Sequence, residues 1–335
     1  MIKHYTIPVF IPELACPHQC VFCNQRKISG SLCVPRPADV EIIINQYLKA
    51  LPANDSHIEI GFFGGNFTGI AIEEQEKYLK IANKFLNNGD VYGIRLSTRP
   101  DYIDHKRLEL LKRYNVGTIE VGAQSMVDDI LIASGRGHTV SDTEEAAELI
   151  LDAGFELGLQ MMIGLPGDTL ERSIFTAKRI ADMGALNTRI YPTLVVRDTQ
   201  LAELYLEKKY VPLSLEEAVQ WSKEIYSIFE QTEVNVIRMG LHPSEGLMNG
   251  KDLLAGPFHP SFKELVMTEL WCDELLRLIT GSQKHAVTVY VHPKQYNFAI
   301  GYGAKNKKLL KKHFKEVKFK QDSQLEGRAY HVNYH

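Results

Sequence analysis

The chain begins with a short apolar run, Tyr5-Thr-Ile-Pro-Val-Phe-Ile11, and three cysteines follow it in the segment Cys16-Pro-His-Gln-Cys20-Val-Phe-Cys23. The apolar run predicts a β-strand that ends near Ile11. Three thiolates so close in sequence favour a metal centre, because thiolates are soft ligands suited to iron–sulfur clusters or zinc. The first strand is therefore expected to lead directly into a metal-binding loop.

Short apolar runs alternate with amphipathic helical stretches along most of the chain. The predicted strands are 5–11, 57–63, 91–97, 117–123, 156–163 and 187–196. The predicted helices between them lie near 38–50, 72–88, 104–114, 142–153 and 169–183. This alternation is typical of βαβ units and a parallel sheet. Because parallel crossovers are right-handed, we expect an α/β fold, a partial (β/α)6 barrel of the TIM type, with its site at the carboxyl ends of the strands.

The alternation changes after residue 200. Helices are predicted near 200–208 and 214–230, followed by a strand at 234–240, a loop at 240–260 and a helix at 261–280. A small C-terminal α/β appendage follows. We therefore expect a barrel over 1–245, a helical connection over 246–280 and a small basic module over 281–335.

The composition is that of an ordinary globular protein, with 335 residues, 44% hydrophobic and 24% charged. No apolar run approaches the roughly 20 residues of a membrane helix. The N-terminus also lacks the features of a signal peptide, so we expect a cytoplasmic protein. Five cysteines, three of them clustered, argue against a disulfide framework.

The charge of the chain is unevenly distributed. The net charge is −3, yet residues 284–335 carry eleven Lys and Arg against three acids, which gives +8. Lys305, Lys308, Lys312 and Lys315 recur at helical spacing, and this predicts a basic stripe. Such asymmetry is typical of a polyanion-binding end, although a solvated lysine-rich helix face has the same pattern.

The cysteine spacing alone leaves two metal centres open. Three cysteines hold three corners of a cubane cluster and leave one iron open, which suits an enzyme, whereas an electron carrier normally uses four cysteines. The alternative is a zinc site completed by His18 or Cys33.

The cysteine spacing, with an aromatic residue before Cys23, resembles the signature of the radical S-adenosylmethionine (SAM) enzymes. Segment 62–68 contains Gly64-Gly65, which is similar to the turn that holds the methionine amine of SAM in that family. Four further segments resemble the radical SAM core of the elongator catalytic subunit and, less closely, oxygen-independent coproporphyrinogen oxidase: 97–103, 120–125, 135–139 and 163–167. A fifth segment, 190–197, is also elongator-like. The resemblance covers about residues 5–240.

This resemblance implies a 4Fe-4S cluster on Cys16, Cys20 and Cys23. It also implies a set of SAM contacts: Phe22 and Tyr191 near the adenine, Gly64, Gly65 and Asn66 at the methionine end, Gln124 and Gln160 at the ribose, Arg136 at the carboxylate, and Ser97 where the related families have a glutamate. For Phe22 a place in the core is the alternative, and for Arg136 a place on the surface.

The resemblance further implies the chemistry. One electron from the reduced cluster would cleave SAM into methionine and a 5′-deoxyadenosyl radical, which takes hydrogen from a second substrate. A reduced flavodoxin or ferredoxin is the expected donor. The elongator subunit continues into an acetyltransferase domain, for which this chain has no room, so acetyl-CoA chemistry is not expected.

The second substrate is less determined. His242, Glu245 and His259 are candidate substrate contacts because they follow the last barrel strand, although His-Pro pairs can also mark the starts of elements. Segment 287–306 is similar to a KH-type RNA-binding module, in which a Gly-x-x-Gly loop between two helices clamps phosphates, but the second glycine falls on Ala304.

We therefore expect a radical SAM enzyme that modifies RNA, with tRNA as the leading candidate. A radical SAM enzyme acting on a small metabolite such as a tetrapyrrole is the first alternative. A non-enzymatic zinc or iron–sulfur binding protein is the second.

Overall fold

The structure, a computed structural model, describes residues 3–11, 20–29, 34–52, 56–242, 244–279 and 285–335. Cys16, together with the alternative zinc ligands His18 and Cys33, lies outside the described residues. The chain divides into two units, the first formed by Met1–Ser214 and Ile225–Pro260, the second by Leu215–Glu224 and Ser261–His335. None of the described helices combines the length and apolarity that crossing a membrane requires.

The elements follow one another in strict alternation through most of the first unit. The strands are β1 (Lys3–Phe10), β2 (Ser56–Phe63), β3 (Gly93–Thr98), β4 (Thr118–Gln124), β5 (Glu156–Ile163), β6 (Asn187–Pro192), β7 (Val195–Val196), β8 (Asn235–Met239), β9 (Leu253–Ala255), β10 (Ala286–Val291), β11 (Glu316–Gln321) and β12 (Tyr330–Tyr334). The helices are α1 (Gln25–Ser29), α2 (Pro37–Ala50), α3 (Ile72–Asn87), α4 (His105–Arg113), α5 (Asp128–Ala133), α6 (Val140–Asp152), α7 (Leu170–Asp182), α8 (Gln200–Leu206), α9 (Leu215–Gln231), α10 (Glu245–Met248), α11 (Phe262–Leu276), α12 (Tyr296–Ile300) and α13 (Lys305–Leu310).

Seven strands of the first unit form one sheet in the order β1-β2-β3-β4-β5-β6-β8, and all their pairings are parallel. Neighbours in the sheet are also successive along the chain, with helices between them, so the right-handed crossovers curl the sheet into a half-barrel. Residues 118–123 of β4 are buried, as expected for a parallel strand covered on both faces. The prediction of a partial α/β barrel is confirmed, and the strand predicted at 234–240 forms β8, the seventh strand of the sheet.

The predicted strand at 187–196 is wrong in one respect, because it is two strands. β6 ends at Pro192, and β7 pairs antiparallel with β9 in a separate ribbon. Between them Thr193 donates its hydroxyl to the carbonyl of Ile163 at 2.8 Å, which turns the chain away from the sheet. The loop predicted at 240–260 likewise contains α10 and β9, which are too short to give a periodic signal.

The second unit is built on a three-stranded sheet. β10 lies in the middle, parallel to β11 and antiparallel to β12. Its core includes Trp271, Val289, Leu310 and Phe314. The segment 301–304 joins α12 to α13, which is the arrangement that the resemblance to a KH-type module implies for its loop.

The predicted basic stripe is wrong as a helical feature. α13 ends at Leu310, so Lys312 and Lys315 lie beyond the helix. Lys305, at its start, is paired with Glu269 of α11. Hydrogen-bonded turns follow the helix as far as Phe314, which is buried in the core of this unit.

The loop between α12 and α13 is held tightly against α11. Thr268 accepts a hydrogen bond from the backbone nitrogen of Tyr302 at 2.8 Å, and its carbonyl accepts one from the buried Asn306 side chain at 3.0 Å. Gly301 has φ +87°, and a Cβ there would lie 3.0 Å from the backbone nitrogen of Asn306. Gly303 has φ +57°, but a Cβ there would meet nothing within 4 Å.

The two glycines allow a matched test of this loop. We expect Gly301→Ala to lower the free energy of unfolding of the second unit by about 2–3 kcal/mol, because strain and a backbone clash combine. Gly303→Ala adds backbone strain at a positive φ without a clash, so it should lower the free energy of unfolding by only about 1 kcal/mol. Urea unfolding followed by tryptophan fluorescence measures both, since the two tryptophans, Trp221 and Trp271, belong to this unit. Equal losses for the two variants would contradict the close packing at Gly301.

Candidate functional site

The described part of the cysteine loop is fixed by backbone hydrogen bonds. The backbone nitrogen of Cys23 donates to the carbonyl of Cys20 at 2.9 Å, which closes a turn that brings the two residues together. Val21 is held on both sides, because its nitrogen donates to Ser134 at 3.1 Å and its carbonyl accepts from Leu201 at 2.7 Å. Two of the three predicted metal ligands are therefore presented on one anchored turn.

An apolar cluster supports this turn. Cys20 and Phe22 are buried in it together with Met162 and Leu165, and Tyr191 packs against it while remaining partly buried. Phe22 is thus part of the core, which does not conflict with a place beside an adenine ring. The ends of β5 and β6 consequently lie beside the cysteine turn.

Arg136 is buried, with 6% of its surface exposed, so the surface alternative for this residue is wrong. Its Nη1 donates to Cys20 Sγ at 3.3 Å and its Nη2 to the carbonyl of Gly122 at 2.8 Å. Its own carbonyl accepts from Arg99 at 2.7 Å. The guanidinium of Arg99 is itself forked onto Asp101, with both distances 2.9 Å. Segments 97–103 and 135–139 therefore cooperate to aim one guanidinium at the cysteine turn.

Gln124, at the end of β4, lies next to Arg136. Gly122 makes room for both side chains, because a Cβ at this position would lie 2.7 Å from Gln124 Nε2 and 3.4 Å from Arg136 Nη2. Gln124 has φ +64°, which directs its side chain out of the regular strand pattern. The structure thus brings together two residues that the family resemblance assigns to the same ligand.

Two polar atoms at this place are buried without a hydrogen-bond partner among the described residues, Gln124 Oε1 and Arg136 Nε. A buried polar atom left unsatisfied costs about 1–3 kcal/mol. A ligand that carries a carboxylate and hydroxyl groups would satisfy both atoms, as the methionine and ribose parts of SAM do. The residues present therefore fit the ligand that the resemblance implies.

The Gly64-Gly65 turn lies beside the start of the cysteine loop. Gly64 has φ +105°, and a Cβ there would lie 3.1 Å from the backbone nitrogen of Ile11. Asn66 holds the turn to the end of β3, since its Oδ1 accepts from Thr98 Oγ1 at 2.7 Å. The turn is consequently fixed from both sides, with its backbone close to Ile11.

A buried carboxylate, Glu120, lies inside the half-barrel with 1% of its surface exposed. It accepts hydrogen bonds from Arg189 Nη2 at 2.9 Å, from Arg95 Nη1 at 3.2 Å and from Gln160 Nε2 at 2.9 Å. Arg189 Nε donates to it as well. Four neighbouring strands, β3 to β6, are joined through this one side chain.

The pKa of Glu120 lies below its ordinary value. Burial raises the pKa, but the guanidinium of Arg189, its hydrogen bonds and the charge of Arg95 together lower it by more. Glu120 therefore stays ionised at physiological pH, and the interior of the barrel is a polar floor rather than an apolar one.

Ser97 and Gln160, both predicted SAM contacts, belong to this floor. Gln160 Nε2 donates to Ser97 Oγ at 3.0 Å as well as to Glu120. The sequence reasoning missed Glu120, Arg95 and Arg189. The signal was present, because a charged residue inside an apolar strand requires a buried partner.

The three candidate substrate residues do not lie as close together as the residues assigned to SAM. His242 and Glu245 are exposed, and His259 is partly buried. The ribbon near His259 does reach the site, because Leu254 and Ala255 pack against the cluster that contains Cys20. At His292 the His-Pro pair does mark the start of an element. Its Nδ1 accepts a hydrogen bond from the backbone nitrogen of Lys294 at the start of a short helical turn.

His138 lies behind Arg136 and was not singled out by the sequence. It is 4% exposed, and its Nε2 lies 3.3 Å from the carbonyl of Ala123. Burial first, then the charges of Arg136 and Arg99, lower the pKa of His138 from 6.5 to about 3. The imidazole is therefore neutral at physiological pH and adds no charge beside the two arginines.

Comparison with known proteins identifies the family of this chain. Residues 11–180 match the Radical SAM superfamily, and residues 187–271 match the Radical_SAM C-terminal domain. The Elongator complex protein 3 of Schizosaccharomyces pombe is 31% identical over 172 residues, which cover 50% of this chain and 31% of that protein. The tRNA uridine(34) acetyltransferase of Methanocaldococcus jannaschii is 30% identical over 183 residues, which cover 49% of this chain and 34% of that protein. The chain thus spans about a third of the length of these curated relatives.

A solved structure gives the same fold. The archaeal Methanocaldococcus infernus Elp3 with its N-terminus deleted has a TM-score of 0.65 and 21% identity, and the match covers 82% of this chain and 64% of that one. The likeness supports the half-barrel described above.

The buried His138 makes stability depend on pH. Because its pKa is lower in the folded state, the unfolded chain binds more protons below pH 6.5, and the folded state loses stability as pH falls. When the pH falls from about 7.5 to about 5.5, the free energy of unfolding should decrease by about 1.4 kcal/mol more in the wild type than in His138→Gln. Urea unfolding followed by circular dichroism measures this difference. His105→Gln, at an exposed site on α4, is the control and should behave as the wild type.

Gly122 provides a test of the ligand pocket. In Gly122→Ala the new methyl group displaces the ends of Gln124 and Arg136 while the strand persists, so the dissociation constant for SAM should rise about tenfold. Gly117→Ala is the control, because its nearest neighbour would be the carbonyl of Ile94 at 3.8 Å. Isothermal titration of the reconstituted protein gives both constants. Equal affinities for SAM in the two variants would rule out this pocket.

Proposed function

The chain belongs to the radical SAM superfamily, and from this premise we propose that it cleaves SAM and uses the resulting radical to modify tRNA. The observation that carries the proposal is the buried Arg136, which joins the cysteine turn to a pocket with unsatisfied polar atoms. As a member of this superfamily the protein is an enzyme. Its second substrate and its cofactors are part of the proposal.

Cys16, Cys20 and Cys23 would hold a 4Fe-4S cluster. When bound and reduced, such a cluster supplies the electron that splits SAM into methionine and a 5′-deoxyadenosyl radical. N–H donors close to the ligating sulfurs tune the reduction potential of such a group. Arg136 Nη1 at Cys20 and Gln25 Nε2, 3.4 Å from Cys23 Sγ, are donors of this kind.

The protein's own residues would bind and orient SAM. The backbone of Gly64 and Gly65 would cradle the methionine amine, and the guanidinium of Arg136 would bind the carboxylate through its fork. Gln124 would bind the ribose. The ring of Phe22 would shield the reacting end from water, which matters because a radical must meet only its substrate.

Two features support tRNA as the second substrate. One relative of this chain is named tRNA uridine(34) acetyltransferase, although this chain spans about a third of its length. The segment 281–335 is strongly basic, with most of its lysines exposed. We propose that this segment contacts the tRNA backbone, and that a flavodoxin- or ferredoxin-type reductant delivers the electron.

The first test concerns SAM. After anaerobic reconstitution and reduction, the wild type should form 5′-deoxyadenosine, whereas Cys20→Ala and Cys23→Ala should lower the rate at least 100-fold, because a lost ligand removes the group that supplies the electron. Cys272→Ala, in the second unit, is the control and should keep the wild-type rate. Mass spectrometry of the nucleoside products gives the rates. A reduced, fully loaded wild type that forms no 5′-deoxyadenosine would refute SAM cleavage.

The second test concerns tRNA. Mass spectrometry of total tRNA nucleosides from a deletion strain should show one modified nucleoside missing, and it should return with the wild-type gene but not with Cys20→Ala. Identical nucleosides in all strains would reject tRNA as the substrate and leave SAM cleavage standing.

A further inference from the structure

Arg238 is a charged residue of the half-barrel interior that the preceding roles do not use. It lies in β8, which forms one edge of the seven-stranded sheet, so its side chain stands where the interior opens. It is half-buried, and its register partner on β6 is Arg189. Two guanidinium groups on adjacent positions of neighbouring strands repel each other unless anions compensate them.

Only one of the two guanidinium groups is compensated. Arg189 is held by both carboxylate oxygens of Glu120. Within the described part of the chain, no carboxylate lies at ion-pair distance from Arg238. Its pKa is lowered, first by burial and also by the charge of Arg189, with the phenol of Tyr191 acting the other way. Among the described residues, the edge of the interior thus carries a positive charge without a counter-charge.

The guanidinium of Arg238 is oriented by its neighbours. Its Nε donates to the carbonyl of Gly240 at 3.1 Å, and its Nη2 lies 3.4 Å from His242 Nδ1. A guanidinium group can only donate hydrogen bonds, so Nδ1 of His242 must be the acceptor. In the neutral imidazole the proton is then on Nε2. Burial and then Arg238 lower the pKa of His242, which keeps the imidazole neutral. One cation and one N–H donor are therefore presented side by side.

We propose that Arg238, with His242 beside it, binds a phosphodiester group of the RNA that carries the nucleotide to be modified. This inference rests on the proposed tRNA substrate and adds a specific subsite to it. The planar fork of arginine matches the two free oxygens of a phosphodiester, and the site is open at the edge of the barrel. A nucleotide whose base enters the interior beside β8 would place its phosphate at this edge.

Salt dependence of tRNA binding tests the inference, because each phosphate contact adds about 0.7–0.9 to the slope of log affinity against log salt. For the reconstituted enzyme, Arg238→Gln should weaken tRNA binding about tenfold and lower the slope by about one. Arg238→Lys keeps the charge but loses the fork, so it should keep the slope and lose only part of the affinity. Filter binding between about 50 and 200 mM salt measures both quantities.

Arg36→Gln is the matched control. It removes the same charge from an exposed side chain, 82% accessible, at the start of α2, and should leave affinity and slope as in the wild type. If Arg238→Gln, with wild-type iron content, keeps the wild-type affinity and slope, the phosphate site is wrong while the tRNA proposal stands. If the wild type itself has no affinity for tRNA at low salt, the tRNA proposal is wrong. A raised KM of Arg238→Gln for a carboxylate-bearing metabolite instead of RNA would also overturn the phosphate assignment.

Discussion

The buried carboxylate of Glu120 is the interaction on which the interior of the half-barrel depends. A carboxylate in this position would be too costly to bury alone, and Arg189 would be equally costly without it, whereas Arg95 also pairs with Glu59 of β2 at 3.0 Å. Because Arg95, Glu120, Gln160 and Arg189 come from four adjacent strands, the group also fixes the relative register of those strands. A slip of one residue would turn one of these side chains outward and leave its partners unsatisfied.

The cysteine turn depends in the same way on distant residues. Arg136 reaches Cys20 only because Arg99 and Gly122 hold it, and the corresponding segments are far apart in sequence. The motifs that resemble the radical SAM family are therefore partly structural. Thr139 caps α6 and Thr193 ends β6, so these motif residues position the chain and need not touch a ligand.

The sequence predicted the half-barrel well because apolar runs and amphipathic stretches are local patterns. β5 begins and ends where its apolar run predicts, and the order of the sheet follows from the handedness of the crossovers. The charges inside the strands signal that buried partners exist, but the pairing itself could not be predicted, because Glu120 and Arg189 are separated by 69 positions and nothing local pairs them. The break after Pro192 was missed for a similar reason, since the partner of β7 lies in a three-residue strand that has no periodicity of its own. Cys16 was predicted as a ligand from spacing, and that assignment stays a prediction.

The position of Arg136 has a thermodynamic consequence. The same guanidinium contacts the sulfur of Cys20 and borders the pocket assigned to SAM, so a change at one end alters the hydrogen bonds available at the other. Two equilibria that share a group in this way are linked, and the linkage is reciprocal. Iron loading would then change the affinity of the apoprotein for SAM, and SAM would in return change the affinity for iron by the same factor. The two cofactors would therefore not load independently of each other.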